Sequence, residues 1–195
     1  MLSAFYSVFE WHYWRNGVWV NTFWDTVLTS KQNLLFIFET MTKRVYIDTS
    51  VVDGQFNTAF SADTAPFFAA VSKGLFLLII SDLLEAELLR APQHDKDFLT
   101  TIPAQQIERI RFTPEAGELA DQYIKAKVVG QTSCANCQHI VMATLAKADI
   151  LVSWNFKHIV NLDKIRGYNG INYQLGHDMI EIRTPKEIIN YDDTN

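Results

Sequence analysis

Three short apolar runs, each closing on polar residues, constrain this chain more than any other feature. Val45-Tyr46-Ile47 runs into Asp48-Thr49-Ser50, the run 75–80 into Ser81-Asp82, and Ile150–Val152 into Ser153-Trp154-Asn155. Runs this short, rich in β-branched and aromatic residues, read as strands buried on both faces. Between them the spacing turns helical. After a loop marked by Gly54 and Asn57, Asp63-Thr64 offers an N-cap for a helix through Phe67, Phe68, Ala69 and Val71, which Lys73-Gly74 closes. Ser81-Asp82 caps a second helix over 83–90, and 95–101 reads as a short helix. A further strand over 107–112 ends at Thr113-Pro114. It leads into an amphipathic helix carrying Ala116, Leu119, Ala120, Tyr123, Ile124 and Val128 on one face, stopped by Gly130. Thr132-Ser133 opens a helix with Asn136, His139, Ile140 and Ala143 on one side. The spacing then predicts a helix over 162–168, a loop at Gly170 and a strand over 179–183. Thr184-Pro185-Lys186-Glu187 is a capping start for a last helix. Strand and helix alternating in this way predict a three-layer α/β/α fold, with a parallel sheet of four to five strands.

The 195 residues, 48% of them hydrophobic, suffice for one domain with a sizeable core, or a domain plus an appendage. A formal charge of −5 excludes a broad basic surface of the kind that grips nucleic acid non-specifically. It leaves room for a metal ion and a few local cations to do so. No apolar run has the length of a membrane span, and the start lacks the pattern of a signal peptide. Cys134 and Cys137 are too few for a disulfide scaffold, so the expected setting is cytoplasmic with reduced thiols. Their C-x-x-C spacing has no second pair to complete a zinc site and no thioredoxin-like context for redox work.

Residues 1–40 differ from the rest. Eleven aromatic residues, four of them tryptophans, fall in these 40 positions, against 14 in the other 155. With sparse charge and no clean period, this stretch reads as an aromatic-rich extension outside the folded domain, which would span 41–195. The rival reading is a tryptophan-rich interaction segment.

Asp48 follows a strand directly, and open α/β sheets collect ligands at the carboxyl ends of their strands. The residue is therefore either a site carboxylate or the cap of the next turn. Glu87 shares a helical stripe with Leu84, Leu88 and Ala91, where a carboxylate is costly without a partner. Glu85 points elsewhere, into solvent. Asn136 and Asn155 are further polar groups on an inner face and at a strand end. His139 on its apolar face reads as a satisfied inner histidine before it reads as a metal ligand. Thr49 and Ser50 stabilise the strand-end turn or place a hydroxyl near a site. Lys157 and His158 meet a phosphate backbone or are plain surface charge.

Four separated pieces then carry a family resemblance. They are Tyr46-Ile47-Asp48-Thr49-Ser50-Val51, the segment from Ser81 to Glu87-Leu88, Asn136-Cys137-Gln138-His139-Ile140, and the run from Leu151 through Trp154-Asn155-Phe156-Lys157-His158 to Ile159. In order and spacing, 44–190 resembles the PIN domain of VapC-type toxins, in the subgroup with a Trp-Asn-Phe-Lys-His run. The resemblance implies a metal-dependent endoribonuclease, a toxin of a toxin–antitoxin pair. It implies acidic residues around Mg²⁺ or Mn²⁺, an RNA substrate, an antitoxin partner and a homodimer. Asp48 and Glu87 match the first two acids. The third falls on Asn136, with Asn155 at the fourth, so the cation would meet fewer charges than the family provides. The ligands would be Asp48, Glu87 and Asn136, with Asn155 in the catalytic group and Thr49, Ser50, His139 and Lys157 around them. The rival is a catalytically silent module of the same fold, binding RNA or a protein. A haloacid-dehalogenase-like phosphotransferase is disfavoured, because Ser50 stands where its second aspartate would be.

Overall fold

The computed structural model describes residues 12–15, 18–21, 42–130 and 134–192. The chain divides into two compact units, 1–42 and 43–195. In the first, β1 (His12–Arg15) pairs antiparallel with β2 (Val18–Asn21), Trp14 opposite Trp19. This hairpin is absent from the sequence reading, and most of the aromatic extension over 1–40 lies outside the described residues.

The second unit is built on five parallel strands. They are β3 (Lys43–Ile47), β4 (Phe76–Ser81), β5 (Ile107–Ile110), β6 (Ile150–Val152) and β7 (Glu181–Arg183), in the order β5-β4-β3-β6-β7. Side chains alternate across this sheet and sort into two cores. Val45, Ile47, Leu78, Ile80 and Val152 face one side, where they meet Val51, Phe67, Val71, Leu84 and Ile188. Tyr46, Ile79, Leu151 and Ile182 face the other, against Leu119, Tyr123, Ile140 and Tyr168. The first side is covered by α1 (Thr49–Phe56), α2 (Ser61–Ser72), α3 (Asp82–Leu88) and α8 (Pro185–Asp192). The second is covered by α5 (Pro114–Lys125), α6 (Cys134–Leu145) and α7 (Leu162–Leu175). The short α4 (Gln93–Phe98) and two 3₁₀ turns lead from α3 to the edge strand β5. The three-layer α/β/α arrangement expected from the alternation is the one observed.

Several boundaries fall where capping chemistry puts them. The Ser81 hydroxyl accepts from the Leu84 N–H, and the Thr113 hydroxyl from Ala116. Thr184 and Glu187 form the reciprocal box: the Glu187 carboxylate accepts from the Thr184 N–H at 2.8 Å, and the Thr184 hydroxyl from the Glu187 N–H at 3.2 Å.

Four expectations need correction. Helix α2 begins at Ser61 with Phe60 at its N-cap, so Asp63 and Thr64 lie inside it and do not cap it. Residues 49–56, read as a loop, form α1. Its Gly54 is required by packing: a Cβ there would lie 2.7 Å from two atoms of the Trp154 indole ring. Helix α7 runs on through Gly170 and closes at Gly176, which takes the left-handed conformation of a C-terminal cap. Helix α5 stops at Lys125, before Gly130, with Lys127 making the left-handed turn. The expected opening of α6 at Thr132-Ser133 lies outside the described residues.

Candidate functional site

The carboxyl ends of β3, β4 and β6, the three central strands, carry the polar residues that the sequence singled out. Asp48 follows β3 and is only 4% exposed. It occupies the N-cap position of α1, but its side chain makes no cap bond to that helix. The Ser50 hydroxyl donates to Asp48 Oδ1 at 2.6 Å, and the Ser153 hydroxyl donates to Oδ2 at 2.8 Å. Both serines are themselves fixed, Ser50 by the Trp154 N–H and Ser153 by the Asn155 N–H, each at 2.9 Å. Ser153, a residue the sequence reading left out of the site, thus ties the β6 end to Asp48.

Glu87 leans over the same rim from the last turn of α3, its side chain about one-third exposed. The Thr49 hydroxyl and His139 Nε2 both meet its Oε2, the latter at 3.1 Å. His139, buried on α6, is held at its other nitrogen: Nδ1 lies 2.8 Å from the Tyr46 hydroxyl, which in turn lies 2.8 Å from Ser81 Oγ. A buried chain therefore runs from the α3 cap through Ser81, Tyr46 and His139 to Glu87. Glu85, as expected, lies outside it, paired with Arg109 at the surface.

The two asparagines touch each other. The Asn155 side-chain oxygen accepts from the His158 N–H, so its Nδ2 faces Asn136 and donates to Oδ1 at 2.7 Å. Lys157 stands exposed two residues beyond Asn155. All of Asp48, Glu87, Asn136, Asn155, Thr49, Ser50 and His139 thus meet at one rim.

The two carboxylates sit in different electrostatic settings. Burial pushes the Asp48 pKa above the ordinary aspartate value; His139 and the serine hydroxyls oppose this, and Glu87 adds to it. Burial acts on Glu87 in the same upward sense, but the bonds from His139 and Thr49 outweigh it and hold Glu87 below the ordinary value. Burial also raises Tyr46 well above the usual phenol range, so it stays a neutral hydroxyl.

No group of three or more His, Cys, Asp or Glu placed to hold a metal ion occurs among the described residues. The donors at the rim are two carboxylates with amide and hydroxyl oxygens beside them. These are hard oxygen donors of the kind Mg²⁺ and Ca²⁺ take, with only two acids among them. The opposite rim is built differently. A cavity of about 410 Å³ there is lined by Lys43, Asp149, Glu181, Arg183 and Glu187. Arg183 is paired with Glu181, and Asp149 accepts from the Arg44 N–H, so these charges brace the sheet.

No family model matches the chain, and a search of curated proteins finds no match. Among solved structures, a chain in the crystal structure of VapBC2 from Rickettsia felis bound to a DNA fragment from their promoter is similar at a TM-score of 0.45. The identity is 13%, over 72% of this chain and 98% of that one. Among the described residues, no helix is long and apolar enough to cross a membrane.

Proposed function

We propose that residues 43–192 form a PIN-type, metal-dependent endoribonuclease with a charge-poor site, the toxin of a toxin–antitoxin pair. What carries this reading is the meeting of Asp48, Glu87, Asn136 and Asn155 at one rim of a parallel sheet, from four distant parts of the chain. Asp48 and Glu87 would hold Mg²⁺ or Mn²⁺, with the Asn136 carbonyl oxygen beside them. The bound ion would supply an activated water and offset charge on phosphoryl oxygens. The protein's own part is positioning. Ser50 and Ser153 hold both oxygens of Asp48, while Thr49 and His139 hold one oxygen of Glu87 and leave the other open. Asn155 braces Asn136. The partners belonging to this reading are RNA, a small antitoxin protein and a second copy of the chain, in the cytoplasm.

One observation favours a second reading. The Asn136–Asn155 pair satisfies itself with a hydrogen bond that needs no cation, as a catalytically silent module would. Incubating the full chain with single-stranded and structured RNA in Mg²⁺ or Mn²⁺ separates the two. Slow cleavage that Asp48→Asn abolishes and Asn136→Asp accelerates is expected of the nuclease. Absence of cleavage even with Asn136→Asp would favour the silent module.

A further inference from the structure

Beside the carboxylate rim stands a supported aromatic face that the metal chemistry does not use. Trp154 is buried and immobilised: its indole N–H donates to Thr64 Oγ1 at 2.9 Å, and its ring stacks on Phe60 at 4.7 Å between centroids. Phe156 continues the cluster, with centroids 5.9 Å from Trp154 and 6.5 Å from Phe60. Yet Phe156 is 51% exposed. Its backbone is fixed by a bond from its N–H to the Trp154 carbonyl at 2.9 Å. It is one residue from Asn155, which is bonded into the rim, and one from the exposed Lys157.

An exposed aromatic ring is ordinary when isolated. This one is held from behind, anchored at its backbone, next to a cation and next to a candidate phosphodiester site. We propose that Phe156 is a stacking platform for one unpaired base of the RNA whose backbone lies at the Asp48–Glu87 rim, with Lys157 meeting an adjacent phosphate. Base–aromatic stacking tolerates any base, because every base has a π-face, and it requires that the base be unpaired. The inference rests on the ribonuclease reading and assigns Phe156 the holding of an unpaired base beside that site.

The test uses the full chain and a short RNA carrying 2-aminopurine, with Ca²⁺ in place of Mg²⁺ so that binding is read without turnover. On the single strand, the wild type is expected to quench 2-aminopurine and to bind at least about tenfold more tightly than to the same RNA as a duplex. Phe156→Leu keeps an apolar side chain but has no π-face. It should lose the quenching and weaken binding about tenfold, while Phe156→Trp restores both. Lys157→Gln should weaken binding of the single strand and flatten its salt dependence while leaving the quenching at saturation. Equal affinity for strand and duplex, or binding untouched by Phe156→Leu but weakened by Lys157→Gln, would overturn the platform alone, leaving RNA binding intact and the ring to a protein contact. Failure of the wild type to bind either RNA would overturn the platform together with the ribonuclease reading.

Discussion

Asn155 Nδ2 donates to Asn136 Oδ1 across 2.7 Å, joining the end of β6 to the start of α6. The bond also explains how an amide can stand at Asn136, where the family resemblance implies an acid: a donor faces an acceptor, and no cation is needed to keep like charges apart. Asn136→Asp would keep the bond, since a carboxylate accepts equally well, but would add a third negative charge beside Asp48 and Glu87. Without divalent cations this variant should melt about 2–4 °C below the wild type, as expected for roughly 1 kcal/mol of added repulsion. Millimolar Mn²⁺ should reverse the difference. Thermal unfolding in EDTA and in Mn²⁺ measures it.

The pH response of the two carboxylates should have opposite signs. Asp48 has a raised pKa in the fold, so its contribution is complete below the ordinary aspartate range and fades as pH rises through the raised value. Glu87 has a lowered one; its contribution is present above the ordinary glutamate range and is lost as pH falls through the depressed value. Asp48→Asn should therefore stabilise the protein at about pH 8 and give little at about pH 3.5, where wild-type Asp48 is protonated. Glu87→Gln should destabilise it at about pH 8, with the gap closing in acid. Urea titrations in EDTA across this range check both.

Tyr46 links Ser81 to His139 in the interior, and its hydroxyl has no solvent to replace those partners. Tyr46→Phe should cost about 1–3 kcal/mol of stability, the range for leaving buried polar groups unpaired. Because His139 loses one of its two anchors, its ring NMR signals should broaden or shift more than those of exposed His94. Equilibrium unfolding and histidine spectra together make the measurement.

Two glycines should respond oppositely to the same change. Gly54→Ala would drive a methyl group into the Trp154 ring and should destabilise by about 1–3 kcal/mol, because Trp154 is pinned by Thr64 and Phe60. Gly170 sits inside α7 with nothing within 4 Å of a built Cβ, so Gly170→Ala should stabilise by about 0.5–1 kcal/mol. Urea unfolding of the two variants beside the wild type is decisive.

The central strands were legible as short continuous apolar runs, because both of their faces are buried: Val45, Ile47, Leu78, Ile80 and Val152 line one core and Tyr46, Ile79 and Leu151 the other. The position of Glu87 beside the apolar stripe was legible from helical spacing. Helix α1 was not: Thr49, Ser50, Val51, Val52 and Gly54 are modest helix formers, and what accommodates Gly54 is the Trp154 ring a hundred residues away. The hydrogen bond that Asp48 accepts from Ser153 likewise spans 105 positions. The Tyr46–His139 bond spans 93 and leaves no local signal. Long-range polar contacts, unlike apolar runs and helical stripes, leave nothing to count in a short window.

If the Asp48–Glu87 rim is a cation site depleted in charge, calorimetric titration of Mn²⁺ into the full chain should show it. The wild type should bind weakly, Asp48→Asn should lose that binding, and Asn136→Asp should bind at least about tenfold more tightly. Mn²⁺ binding that Asp48→Asn leaves unchanged, or no binding by either the wild type or Asn136→Asp, would contradict a cation site there.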